Sequence, residues 1–149
     1  MSNGAGPNTG PQGGASVSSS RAAEPIGAYV HARRAGGLLF LAGLGPRERG
    51  STSIPGVTLD ASGKVASYDI ETQTRAVFKN VRLVLEDAGS SWDKIVDVTV
   101  FLTNMQRDFQ AFNRLFAEAF AGLQVTRTTV EVGSLPTPIA VELKVVAEG

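Results

Sequence analysis

The chain has 149 residues, 42% hydrophobic and 19% charged, with 14 basic and 14 acidic side chains and a formal net charge of +0. That is one domain's worth of chain, apolar enough for a core, without the excess of Lys and Arg that binding to phosphate backbones demands. Cysteine is absent and His31 is the single histidine, which excludes thiol nucleophiles, disulfides, Cys-ligated metal centres, H-E-x-x-H zinc sites and any site needing two histidines from one chain.

Residues 1–23 are rich in Gly, Ser, Asn and Pro, with Val17 the one branched aliphatic. Such a segment buries too little apolar surface to offset its ordering entropy, so a disordered tail is expected there, followed by a single domain over 24–149. No apolar run has the length of a membrane span or the form of a secretory signal, and cytoplasm is the expected compartment. A first strand is predicted at about Tyr29 to Arg34, turning at Gly36-Gly37 into a hairpin partner from Leu38 to Ala42. Gly43 to about Lys64 reads as a long loop broken by Gly45-Pro46, Gly50, Pro55-Gly56 and Ser62-Gly63, and loops of that length tend to be functional or mobile. From Asp69 the period becomes helical. Ile70, Thr74, Val77, Val81, Leu85 and Ala88 form one stripe, with Asp69 or Ser67 as cap and Gly89 as stop. Ile95 to Leu102 is a strand, with Val96, Val98 and Val100 on one face and Asp97 and Thr99 on the other. Asp108 opens a second helix to about Phe120, where Phe109, Phe112, Phe116 and Phe120 stack as core. Two closing strands follow, giving the order β-β-α-β-α-β-β. This is an α+β fold, a two-layer sandwich with two helices on one face of a mainly antiparallel sheet.

The closing strands carry the residues of most chemical interest. Arg127, Thr129 and Glu131 share one face of the first; Ala140, Glu142 and Lys144 share the polar side of the second. A guanidinium clamps a carboxylate with two parallel hydrogen bonds, and a glutamate holds and activates a water. Arg127 and Glu142 are therefore either a salt bridge across neighbouring strands or a minimal hydrolytic site needing neither metal nor cofactor. The mixed polar and apolar character of the uncovered sheet face suits a subunit interface lining a polar cavity.

The segments E-P-I-G-A-Y (Glu24 to Tyr29), L-A-G-L-G-P (Leu41 to Pro46), D-F-Q-A-F-N (Asp108 to Asn113) and R-T-T-V-E-V-G-S-L-P…V-E-L-K-V-V-A (Arg127 to Ala147) resemble the signature segments of the Rid/YjgF family of reactive-intermediate imine deaminases. The resemblance implies a chorismate-mutase-like fold, a homotrimer and pockets at the subunit boundaries. It puts the carboxylate-binding arginine on Arg127, the water-positioning glutamate on Glu142 and the pocket tyrosine on Tyr29, with Asn113 matching an asparagine of structural role. Two positions depart from the best-known branch, where a cysteine stands in place of Thr129 and a serine in place of Ala42. The run from Asp69 to Val77, the loop after Gly45 and the R-T-T-V…L-P-T-P ending are most similar to 2-aminomuconate deaminases. The implied reaction is hydrolysis of 2-aminomuconate to 4-oxalocrotonate and ammonia, in aromatic-ring degradation. On this reading Gly43 and Thr129 hold the nitrogen or the water, while Arg47 and Arg49 are either receptors for a second carboxylate or plain loop charges. Two alternatives stand beside it: a general deaminase of 2-iminobutanoate and 2-iminopropanoate, and a non-catalytic ligand- or RNA-binding protein.

Overall fold

Two consecutive glycines set the first hairpin. Gly36 and Gly37 take φ of 60° and 80°, the pair of left-handed positions that a two-residue turn matching strand twist requires. They join β2 (Ala32–Ala35) to β3 (Leu38–Leu41) in antiparallel register. A short β1 (Ser16–Val17) pairs with the outer side of β2. The structure is a computed structural model and describes residues 15–149.

The loop predicted from Gly43 to Lys64 is in part ordered as strand. β4 (Val57–Leu59) and β5 (Val65–Tyr68) form a separate two-stranded sheet around the Asp60–Gly63 turn. Asp69 then caps α1 (Ile70–Asp87), its carboxylate accepting from the Thr72 N–H at 3.1 Å. Of the predicted stripe, Val77, Val81 and Leu85 have no exposed surface, and Gly89 ends the helix with φ 79°. One 3-10 turn, Trp92–Lys94, leads into β6 (Ile95–Leu102). The alternation predicted there breaks at one place. A slip in register between Ile95 and Asp97 turns Val96 out to solvent, while Val98 and Val100 remain fully buried.

The second helix starts earlier than the position of Asp108 suggests. Asn104 is the cap, accepting from the Arg107 N–H at 3.0 Å, and α2 spans Met105–Ala119. Phe112, Phe116 and Phe120 are buried with Phe78 and Trp92, the Phe116 and Phe120 rings stacking at 4.1 Å, while Phe109 stays at the edge of this cluster. β7 (Thr126–Glu131) and β8 (Val141–Glu148) complete the main sheet in the order β1-β2-β3-β8-β6-β7. β7 runs parallel to β6 because the chain crosses over through α2, so the sheet is mixed. Both helices pack on one face, against Leu39, Leu41, Val98, Val100, Leu143 and Val145.

The disordered tail expected through residue 23 is corrected for its described part. Ser19, Ala22 and Ala23 are buried, and Ala22 forms a bridge to Glu48. Small side chains hide this segment from an apolar count, since polar bonds hold it. The Ser19 hydroxyl donates to Asp87 at 2.6 Å, and Arg49 donates to the carbonyls of Ala22 and Ser19 at 2.9 and 2.8 Å. His31 is buried beneath it. Its Nδ1 accepts from the Ser19 N–H at 2.9 Å and its Nε2 donates to the Ala23 carbonyl at 2.8 Å. The disordered tail expected over residues 1–14 lies outside the described residues. Among the described residues no helix is long and apolar enough to cross a membrane.

Candidate functional site

On the sheet face away from the helices, β2, β3, β8 and the segments before β2 and after β3 enclose a cleft of about 540 Å³. Strand alternation explains its chemistry. Val141, Leu143 and Val145 point to the helices, so Glu142 and Lys144 point into the cleft. Glu142 lies against Gly43: a Cβ on that glycine would sit 2.4 Å from Glu142 Oε2. What the glycine supplies here is room for that carboxylate and not a left-handed φ. The Gly43–Arg47 segment is fixed from both sides. Leu44 exchanges two backbone hydrogen bonds of 2.9 Å with Leu143, and Asn80 of α1 donates to the carbonyls of Gly45 and Arg47 at 2.8 and 2.7 Å.

Burial pushes the Glu142 carboxyl above its ordinary value, and among the described residues it has no ion-pair partner. A carboxylate left basic in this way is suited to hold a water and take its proton. Tyr29 stands at the outer end of the cleft, half exposed, its hydroxyl accepting from the Ile26 N–H at 3.2 Å and keeping its own proton to donate. Arg47 lines the rim with its guanidinium donating to the Glu24 carbonyl at 2.6 Å.

The remaining sequence-predicted residues lie elsewhere. Arg49 is outside the cleft and ties down the N-terminal segment, so of the two loop arginines only Arg47 reaches it. Arg127 and Thr129 are in register with Val98 and Val100, which puts them on the helix side of the sheet. Glu142 is in register with Phe101, on the opposite side, and β6 lies between β7 and β8. A salt bridge between Arg127 and Glu142 across neighbouring strands is therefore excluded within one chain. Arg127 forms its own group at the edge of the sheet. Its Nη1 donates to Asn113 Oδ1 at 2.9 Å, and its guanidinium carbon lies 4.7 Å from the Phe116 ring centre and 5.6 Å from that of Phe109. Thr129 beside it has a buried hydroxyl without a hydrogen-bond partner among the described residues. Glu131 on the same face receives the Met105 N–H at 2.8 Å and so caps α2.

One participant, Asn80, escaped the sequence reading, while Asn113 and Lys144 were placed by it without a part in the chemistry. Asn80 is a polar residue on the buried side of α1, a position that only hydrogen bonding makes tolerable. Asn113 orients Arg127. Lys144, two residues beyond Glu142, shares its face by simple alternation and lines the same cleft.

Comparison with known proteins agrees with this architecture. Residues 19–149 match the family model described as Endoribonuclease L-PSP. A RutC family protein of Pyrococcus horikoshii is 36% identical over 126 residues, covering 85% of this chain and 90% of that protein. The chloroplast Reactive Intermediate Deaminase A of Arabidopsis thaliana is 29% identical over 131 residues, 88% of this chain and 64% of that protein. Among solved structures, yeast Mmf1 superposes with a TM-score of 0.76 at 29% identity, covering 89% of this chain and 96% of that one. The conserved Rid family protein YyfA of Yersinia pestis gives 0.71 at 36% identity, covering 86% and 93%. The chain belongs to the Rid/YjgF family, the family of the Endoribonuclease L-PSP model.

Proposed function

We propose that this Rid family member is a hydrolytic deaminase of 2-imino or enamine acids, with 2-aminomuconate as substrate and 4-oxalocrotonate and ammonia as products. The observation that carries the reading is Glu142: a half-buried carboxylate, raised in basicity by burial, set in a cleft and held against a glycine. In the reaction the enamine tautomerises to the 2-imine. Glu142 holds a water and takes one proton as its oxygen adds to the C=N carbon, giving a carbinolamine. That proton passes to nitrogen to complete the carbinolamine, Glu142 then carries the hydroxyl proton to the same nitrogen, and the C–N bond breaks so that ammonia leaves as the carbonyl forms.

The carboxylate beside the imine carbon requires a clamp, and Arg127 has the chemistry for it. Arg127 and Glu142 face opposite sides of one sheet, so the working site on this reading combines Arg127, Asn113 and Thr129 of one copy with Glu142, Gly43 and Tyr29 of another. The expected homotrimer supplies that arrangement. The exposed apolar residues Val30, Phe40, Val96 and Val130 support burial of the open sheet face against a second copy. Similarity to Escherichia coli TdcF, solved with bound serine at 27% identity and a TM-score of 0.74, supports a pocket of amino-acid size.

Ammonia release from 2-aminomuconate generated in situ tests the chemistry. Arg127→Ala and Glu142→Gln each lower the rate at least about a hundredfold; near-wild-type rates in both variants would sink the mechanism. Mixing the two inactive variants after dissociation tests the shared site. If each site draws on two copies, random reassembly leaves about a quarter of sites intact, and activity returns to that level. No return after confirmed reassembly places both residues in one chain's site and refutes the shared arrangement.

A further inference from the structure

The cleft that holds Glu142 also contains a cation for which the hydrolysis has no use. Lys144 lies two residues along β8 on the same face, and its ammonium donates to the Leu41 carbonyl. Among the described residues it joins no ion pair; those present involve Arg21, Arg49, Arg107 and Arg114. One neutral acceptor satisfies one of its three N–H groups. Burial lowers the Lys144 pKa, the mark of an ammonium that water solvates incompletely. A lysine serving only solubility would extend its head into solvent. Here the head is half-buried on the wall of a ligand-sized cleft, where an anion would satisfy its remaining donors.

We propose that Lys144 anchors a second anionic group of the substrate, so that the cleft is built for an imino or enamine dicarboxylate. The proposal rests on the reading of Glu142 as the hydrolytic base. Its geometry comes from the strand. Alternate residues are separated by about 6.6 Å. With bond lengths near 1.5 Å, the carbon under attack in a six-carbon diacid lies about 5 Å from its distal carboxyl carbon. A substrate lying along β8 with its imine carbon beside Glu142 thus brings its far carboxylate to Lys144. Arg33, exposed on the same wall, adds positive potential. The two loop arginines are poor candidates for this task. Arg49 is outside the cleft, tied to the Ser19 and Ala22 carbonyls, and Arg47 sits at the rim with its guanidinium turned to the Glu24 carbonyl, away from the strand on which Glu142 and Lys144 alternate.

The test is a ratio. For the wild type, Lys144→Met and Lys144→Arg, kcat/KM is measured on 2-aminomuconate and on 2-iminobutanoate, which has one carboxylate. The preference for the diacid falls at least about tenfold in Lys144→Met, as expected for loss of one charge-assisted hydrogen bond. The fall appears mainly in KM, and Lys144→Arg retains most of the preference. Equal losses on both substrates, or no loss on either, overturn the proposal. If the wild type turns over neither compound, the hydrolytic reading has failed and calorimetry decides the subsite separately. Adipate binding more tightly than butanoate in the wild type, with that difference lost in Lys144→Met, supports it. An undiminished difference refutes it. Circular dichroism and oligomer size on each variant separate these outcomes from misfolding.

Discussion

Replacing Gly43 with alanine separates the position of a carboxylate from its presence. The new methyl carbon would sit 2.4 Å from Oε2 of Glu142 and 3.2 Å from its carboxyl carbon, whereas ordinary contact begins at 3.4 Å. The carboxylate must therefore withdraw by about 1 Å, the difference between 3.4 and 2.4 Å. Folding tolerates this, because the obstructing atom is the end of a flexible side chain and Gly43 lacks a left-handed φ. Catalysis does not tolerate it. A displacement of that size typically costs about a hundredfold in rate, or about 2.7 kcal/mol of transition-state stabilisation. The assay is ammonia release from an imino acid formed in situ, with thermal melting as the control on folding. Gly43→Ala should lose about two orders of magnitude in kcat/KM while its Tm moves by a few degrees at most. Wild-type kcat/KM in Gly43→Ala, alongside an inactive Glu142→Gln, would show that the carboxylate acts from some other position and would refute the reasoning.

Three further outcomes are expected. Because burial raises the Glu142 carboxyl, the folded protein binds that proton more tightly than the unfolded chain. Its ionised form therefore opposes folding above the raised value, and the penalty disappears below the ordinary 4.5. Glu142→Gln should then stabilise the fold at neutral pH by about 0.5 kcal/mol, the low end of such gains because solvent still screens the group; denaturant melts at neutral and acid pH check this, the gain vanishing in acid. Arg49→Ala removes two charge-assisted bonds to the Ser19 and Ala22 carbonyls and should cost about 1–2 kcal/mol of stability. A KM increase of tenfold on the diacid in a properly folded Arg49→Ala would instead make Arg49 a substrate ligand. Burial, then the Asp108 carboxylate at 2.5 Å, pushes the Tyr68 hydroxyl up to about 12 from 10.0. The folded state holds that proton more tightly, so this contribution is fully present below about pH 10 and is lost as pH rises through about 12. Alkaline unfolding of the wild type against Tyr68→Phe measures it, and a stability difference that stays constant across that window contradicts the assignment.

Periodicity made most of the fold legible. Ile95 to Leu102 and the stripe from Ile70 to Leu85 announce their structure because burial on one face enforces a repeat of two or of about 3.6 residues. The errors fall where burial is achieved by other means. Ser19, Ala22 and Ala23 are buried by side-chain-to-backbone hydrogen bonds from Arg49 and His31, which leave no hydrophobic pattern. β4 falls inside the expected loop and β5 just beyond it, without an assignment, because each is short and largely exposed and neither displays a buried face. In the candidate site, Glu142 and Lys144 share a face that alternation alone predicts. The relation of Glu142 to Arg127 was beyond such reasoning, since it depends on β6 entering between the two closing strands.

That insertion has an energetic consequence for the proposed assembly. Each chain holds a half-buried cation, Arg127, whose neighbours are two aromatic rings and a neutral asparagine, and on the reverse face a half-buried anion, Glu142, with no cation paired to it among the described residues. Desolvating either charge without compensation disfavours folding. A salt bridge within the chain would remove both penalties and leave neither group for a substrate. Placing them on opposite faces prevents that self-neutralisation. On the proposed shared site, association brings the two charges toward one pocket, and a bound imino acid then separates their tasks: its carboxylate meets Arg127, and its electrophilic carbon meets the water on Glu142. Within each chain that separation leaves Glu142 without an arginine ion pair among the described residues, so that burial alone sets its basicity until association brings Arg127 to the pocket and the substrate carboxylate occupies it.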